Sequence, residues 1–126
     1  MSCCDGSTIE IINNTSGALT IESYKATNGS ITGPSDGSNI GPDGGVAFFS
    51  AQSGTGTQGK AMGNITLEDK NDNQIVLDYA FLPSNFLGNC PCTATGGYSS
   101  NGGYTIQIIP HTGAKEGQAS LQYMIS

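Results

Sequence analysis

The sequence predicts an all-β protein, an antiparallel β-sandwich forming one domain over residues 1–126. Three observations carry this. Apolar side chains recur at every second position in short segments, turn formers separate those segments at fairly regular intervals, and no window shows the three-four apolar repeat with caps that a helix requires. A chain of 126 residues buries about two thirds of its unfolded surface in a single core and needs no second domain.

Taken in order, STIEIINN places Ile9 and Ile11 on one face, and GALTIESY does the same with Leu19 and Ile21. VAFFSAQ reads as a strand, and NITLED offers Ile65 and Leu67. NQIVLDYAF offers Ile75, Leu77, Tyr79 and Phe81, GYTIQIIP offers Tyr104, Ile106 and Ile108, and ASLQYMI offers Leu121, Tyr123 and Ile125. Each segment has the period of a half-buried strand. Between them NNTSG, ATNGS, TGPSDGS, GPDGG, SGTGTQG, DKNDN, TGGYSSNGG and HTGAKEG read as turns, with Gly and Asn supplying positive φ and Pro34 and Pro42 stopping strands.

The stretch GTGTQG, Gly54 to Gly59, fits the G-x-G-x-x-G pattern of a dinucleotide-binding turn. That pattern has a mechanism only where its glycines close a turn from a strand into a helix whose N-terminus faces the pyrophosphate. Here KAMGNITLED follows, with Gly63 and then alternating Ile65 and Leu67, so a strand is expected next. The expectation is a glycine-rich loop between antiparallel strands and no cofactor.

The formal net charge is −6, and the basic residues are Lys25, Lys60, Lys70 and Lys115, with no arginine. Four scattered lysines make no basic face, which excludes nucleic acid as the expected partner. The opening MSCCDGSTIEI has neither a basic n-region nor an apolar h-region, so synthesis without a signal peptide is expected, and the sequons at Asn13, Asn14, Asn28 and Asn64 are expected to stay unglycosylated.

Candidate chemistry is sparse. Cys3 and Cys4 at the start and Cys90 and Cys92 in NCPCT allow a zinc site, though adjacent and single-spaced cysteines suit zinc poorly. A disulfide joining the two pairs is a second state, and reduced thiols, or a bridge formed only after release, are the expected one. His111 has no G-x-S-x-G elbow to serve and is expected on a surface loop. Asp69, Asp72 and Asp78 lack the spacing of a calcium loop and are expected in a solvated hairpin. In YAFLPSNFLGN the alternation ends, so Leu82, Pro83, Asn85, Phe86 and Leu87 run into a loop. Apolar side chains there either cap the sandwich or mark a membrane or partner contact.

The opening IEIINNTSGALTIES, the Gly- and Pro-rich linker, VAFFSAQSGTGTQGKAMGNITLED and NQIVLDYAFLPSN, in that order, resemble the aegerolysin family, especially the small subunits of bacterial binary insecticidal toxins. The resemblance runs from about Ser7 to Ile109. It implies an aegerolysin-like β-sandwich without enzymatic activity that binds a membrane lipid or receptor on target cells and recruits a larger partner that forms the pore. It also implies accumulation in the cytoplasm or in a crystal inclusion before release, and it leaves room for a homo-oligomer. Fungal members read sphingolipids with loop tryptophans around a stretch that corresponds here to Phe81–Phe86, with Pro83 and Ser84 retained. This chain has no tryptophan, and Phe86, Tyr98 and Tyr24 are the rings available for an interface. The rival reading is a carbohydrate-binding sandwich using Tyr98, Tyr24, Asn85 and Asn101.

Overall fold

A computed structural model describes residues 2–54 and 56–126, which contain ten strands and no helix. These are β1 Ser7–Asn13, β2 Leu19–Asn28, β3 Ser30–Thr32, β4 Asn39–Ile40, β5 Gly45–Gln52, β6 Ala61–Glu68, β7 Gln74–Pro83, β8 Cys92–Ser100, β9 Ile106–His111 and β10 Ser120–Ile125. They form two five-stranded sheets, ordered β3-β5-β1-β10-β9 and β4-β2-β6-β7-β8. The protein is an all-β sandwich.

Alternation builds the core as the sequence predicts. Ile9, Ile11, Leu121, Tyr123 and Ile125 from the first sheet are buried against Ile65, Leu67, Ile75, Leu77, Tyr79 and Phe81 from the second. Central strand β1 pairs antiparallel with β5 but parallel with β10, so the first and last strands lie side by side and the sheet is mixed where a purely antiparallel one was expected. Asn13, buried at the end of β1, donates to the carbonyls of Gly17 (2.9 Å) and Ile40 (3.0 Å) and accepts from the Thr15 amide. Its sequon amide is thus consumed internally.

Several turn assignments change. TGGYSSNGG was expected as a turn, yet most of it belongs to β8, which pairs with β7 from Pro83↔Cys92 to Ile75↔Ser100. Packing explains the glycine: a Cβ on Gly96 would stand 2.9 Å from the Tyr123 hydroxyl and 3.0 Å from Ile108 Cγ2. The strand therefore carries a small residue where alternation would have shown a large one. ATNGS likewise contributes to β2 and β3, with register shifts in β2 between Ile21 and Ser23 and between Ala26 and Asn28.

GTGTQG is not a hairpin between neighbouring strands. Strand β5 belongs to the first sheet and β6 to the second, so the segment crosses the sandwich; Thr55 lies outside the described residues. Gly59 has φ +80°, and a Cβ there would stand 2.7 Å from Gly88 Cα. The last glycine of the pattern thus serves a close approach of two loop backbones.

Candidate functional site

One end of the sandwich gathers the N-terminal turn (2–6), the crossover (53–60), the β7–β8 loop (84–91) and the β9–β10 loop (112–119). Two disulfides join the N-terminal turn to the β7–β8 loop and to the start of β8, Cys3–Cys90 and Cys4–Cys92, with Cα separations of 5.0 and 5.4 Å. All four cysteines are paired, the bridged state that the sequence left open beside reduced thiols, and no thiol is left as a zinc ligand. Around them the Cys3 amide donates to the Gly88 carbonyl (2.8 Å), Cys92 exchanges two backbone hydrogen bonds with Gly113, and the Ser2 hydroxyl donates to the Gly59 carbonyl (2.8 Å). Asp5 Oδ1 accepts from the Ser53 amide (2.7 Å) and hydroxyl (2.6 Å), tying the crossover to the N-terminal turn.

The β7–β8 loop is fixed by its own polar groups. Asn85 Oδ1 accepts from the amides of Leu87 (3.0 Å) and Asn89 (3.4 Å), and the Gly88 amide donates back to the Asn85 carbonyl. The Ser84 hydroxyl donates to the carbonyls of Asn89 and Cys90. This arrangement leaves Phe86 72% and Leu87 70% exposed. The two side chains stand at the tip of a braced loop and do not cap the core.

Of the other residues singled out from sequence, Leu82 and Pro83 adjoin this end and the rest lie elsewhere. Leu82 and Pro83 are the half-buried last residues of β7. Tyr24 packs edge-on against Phe49, ring centroids 5.1 Å apart, and its hydroxyl donates to the Gly33 carbonyl. Tyr98 lies in β8, six positions beyond Cys92, about 20 Å along the strand from the braced end. Asn101, whose Oδ1 accepts the Gln74 amide (2.7 Å), sits at the start of β7 whereas Asn85 follows its end. The amides and rings of a sugar site are thus dispersed along the molecule, and both amide oxygens are occupied.

At the far end Asp69 accepts from the amides of Asn71 and Asn73, from Asn73 Nδ2 and from the Tyr104 hydroxyl. The Tyr104 bond, then those from Asn73, hold its carboxyl down at about 2. Burial, and the Asp69 carboxylate beside it, push the Tyr104 hydroxyl up to about 12. The sequence reading of a hairpin holds here: Asp72 takes φ +63° in the turn, and Asp78 lies further along on β7. His111, expected on a surface loop, is instead the exposed last residue of strand β9, opposite Ser120.

Sequence reasoning missed one apolar surface. Val46 (45% exposed) and Phe48 (58% exposed) point outward from β5, with Ile12 in register with Val46. The signal was present in VAFFSAQ, which is apolar at both parities.

The fold and its disulfide-closed end define a class, the two-sheet β-sandwiches with one loop-bearing end. Within it the chain shares the fold of the lipid binding protein Nakanori, with a TM-score of 0.67 and 13% identity over 95% of this chain and 70% of that one. It also superposes on IP-1A from Alcaligenes faecalis, with a TM-score of 0.59 and 12% identity over 95% of this chain and 90% of that one. No protein-family model matches the sequence, and no curated protein matches it.

Proposed function

We propose that this protein is the membrane-recognising component of a toxin-like system. It docks through the Leu82–Leu87 segment onto a lipid or surface receptor of a target cell, and a larger partner protein then forms the pore. The observation that carries the reading is the pair Phe86 and Leu87, held 72% and 70% exposed by a cross-braced loop. Large apolar side chains fixed in water at a loop tip gain free energy by entering a membrane or a protein pocket. The fold shared with a lipid binding protein supports this. With no basic face in the sequence, attraction to anionic lipid is not the driving term. The two disulfides fit a protein that acts outside the reducing cytosol, and we place synthesis in the cytoplasm or an inclusion with oxidation on release. Flotation with vesicles of varied headgroup and sterol content, run beside a glycan array, tests the reading. Binding to vesicles or target-cell membranes is expected; binding to glycans alone would replace it with the carbohydrate reading.

A further inference from the structure

Four strands terminate the two sheets, and three of them are unsuited to pairing with another chain. Strand β3 has three residues, β4 has two, and β9 carries Pro110. Short strands and proline are how proteins protect sheet edges from unwanted addition. Strand β8 has neither protection: it is nine residues long, CTATGGYSS, with no charge and no proline.

The direction of its backbone groups follows from two contacts. Cys92 uses its amide and carbonyl on Gly113, away from β7, while the Asn101 amide donates to Gln74 on the β7 side. By the two-residue period, Ala94, Gly96, Tyr98 and Ser100 direct their amides and carbonyls to the open edge. Ala94 is buried beside the Gly113 bridge, but Gly96 and Tyr98 are exposed and Ser100 is half-buried. Among the described residues no backbone partner satisfies the amides of Gly96, Tyr98 or Ser100.

We propose that the Gly96–Ser100 edge of β8 is a self-association strip on which a second copy of this chain adds its own β8, antiparallel, across a two-fold axis at Tyr98. The strip is complementary to itself. Two-fold pairing sets Tyr98 opposite its symmetry mate and Gly96 opposite Ser100, so the two exposed tyrosine rings stand side by side on one face of the paired strands and cover each other. Strand β8 carries no charged side chain, so the pairing sets no like charges against each other within the strip itself. A groove of about 380 Å³, with Thr95 and Gly97 on one side and Asn64 and Asp78 on the other, opens beside it on the outer face, giving room to side chains of the added strand. A strip this short buries less than a standard interface, so the dimer is weak and reversible.

The test is a sedimentation-equilibrium series on the intact, oxidised protein, with a thermal melt of every variant. A monomer–dimer equilibrium is expected. Tyr98→Lys, which sets two ammonium groups across the axis, should raise the dimer dissociation constant at least tenfold, and Tyr98→Phe should leave it unchanged. Ser100→Pro removes one edge-facing amide without touching the ladder to β7 and should also weaken the dimer, which keeps the test informative if Tyr98→Lys misfolds. Because opposed residues in such a pair have Cα atoms about 5.5 Å apart, Tyr98→Cys should cross-link to itself on mild oxidation, whereas Thr93→Cys should not. A protein that stays monomeric and a Tyr98→Cys variant that fails to cross-link would overturn the proposal. So would a dimer indifferent to both Tyr98→Lys and Ser100→Pro.

Discussion

Replacing Phe86 and Leu87 together with serine separates a docking tip from a packing loop. Full burial of such a side chain is worth about 1.5–3 kcal/mol. The exposed portions, 72% of Phe86 and 70% of Leu87, therefore represent about 1–2 kcal/mol each if a membrane or receptor covers them. Together they amount to about 2–4 kcal/mol, or roughly thirtyfold to a thousandfold in affinity. The folded protein itself loses at most the contact made by the remaining area, an upper bound of about 1–2 kcal/mol for the pair, or a few degrees in Tm. A core side chain such as Phe81, fully buried, would instead cost about 3–5 kcal/mol on truncation. Calorimetry and flotation on the same samples read both quantities. The expected result is a melt within a few degrees of the parent and binding weakened at least tenfold. A double variant that melts normally and binds as well as the parent would refute the docking role, and a loss of several kcal/mol of stability would show that the loop packs more than its exposure indicates.

Three further outcomes follow from the same structure. The disulfides close loops of 87 and 88 residues, each worth about 4.6 kcal/mol alone, but once one exists the other closes a ring of only about five residues, worth about 2 kcal/mol. Urea unfolding should therefore show about 2 kcal/mol lost when either pair is replaced by alanine and about 6–7 when both are; simple additivity of the single losses would contradict it. The Tyr79 hydroxyl is buried with no hydrogen-bond partner among the described residues, and burial pushes its pKa to about 12. Tyr79→Phe should then match or exceed the parent's stability by up to about 1 kcal/mol, whereas Tyr123→Phe, which removes a donor to the Asp78 carbonyl, should lose about 1 kcal/mol. For Asp69, held at about 2 in the fold against an ordinary 3.8, the depressed value means that its stabilising contribution is complete above about pH 4 and disappears as pH falls toward 2. Acid titration of stability should flatten across that window in Asp69→Asn.

What could be read from sequence was what depends on near neighbours. The inward residues of β7, Ile75, Leu77, Tyr79 and Phe81, announce themselves by period two, and the break at Pro83 places Phe86 and Leu87 beyond the strand. Strand β8 escaped because its inward positions are Cys92, Ala94 and Gly96, small residues demanded by the approach of Tyr123 and Ile108 from the other sheet. A bridge between the two cysteine pairs was one of the states the sequence allowed, but the individual partners escaped: Cys3 and Cys90 meet because the β7–β8 loop and the N-terminal turn arrive at one end of the sandwich, a fact of topology that spacing does not encode. The crossover at GTGTQG was read as a simple loop since its residues do not reveal which sheet the next strand joins.

The bracing of the tip bears on what it can bind. A mobile loop carrying Phe86 and Leu87 would lose conformational freedom on docking, and part of the burial energy would offset that loss. Here Cys90 is tied to Cys3, the Gly88 carbonyl to the Cys3 amide, and the Leu87 and Asn89 amides to Asn85. The loop's backbone is ordered before any target arrives, so most of the apolar gain appears as affinity. The same ties engage the amides of Ser84, Leu87, Gly88 and Asn89 and the carbonyls of Asn85, Gly88 and Asn89, and so hold the backbone beneath the two apolar side chains in one shape. Reduction of the disulfides would remove the covalent part of that order, so the docking proposed for Phe86 and Leu87 should be stronger in the oxidised protein than in the reduced one.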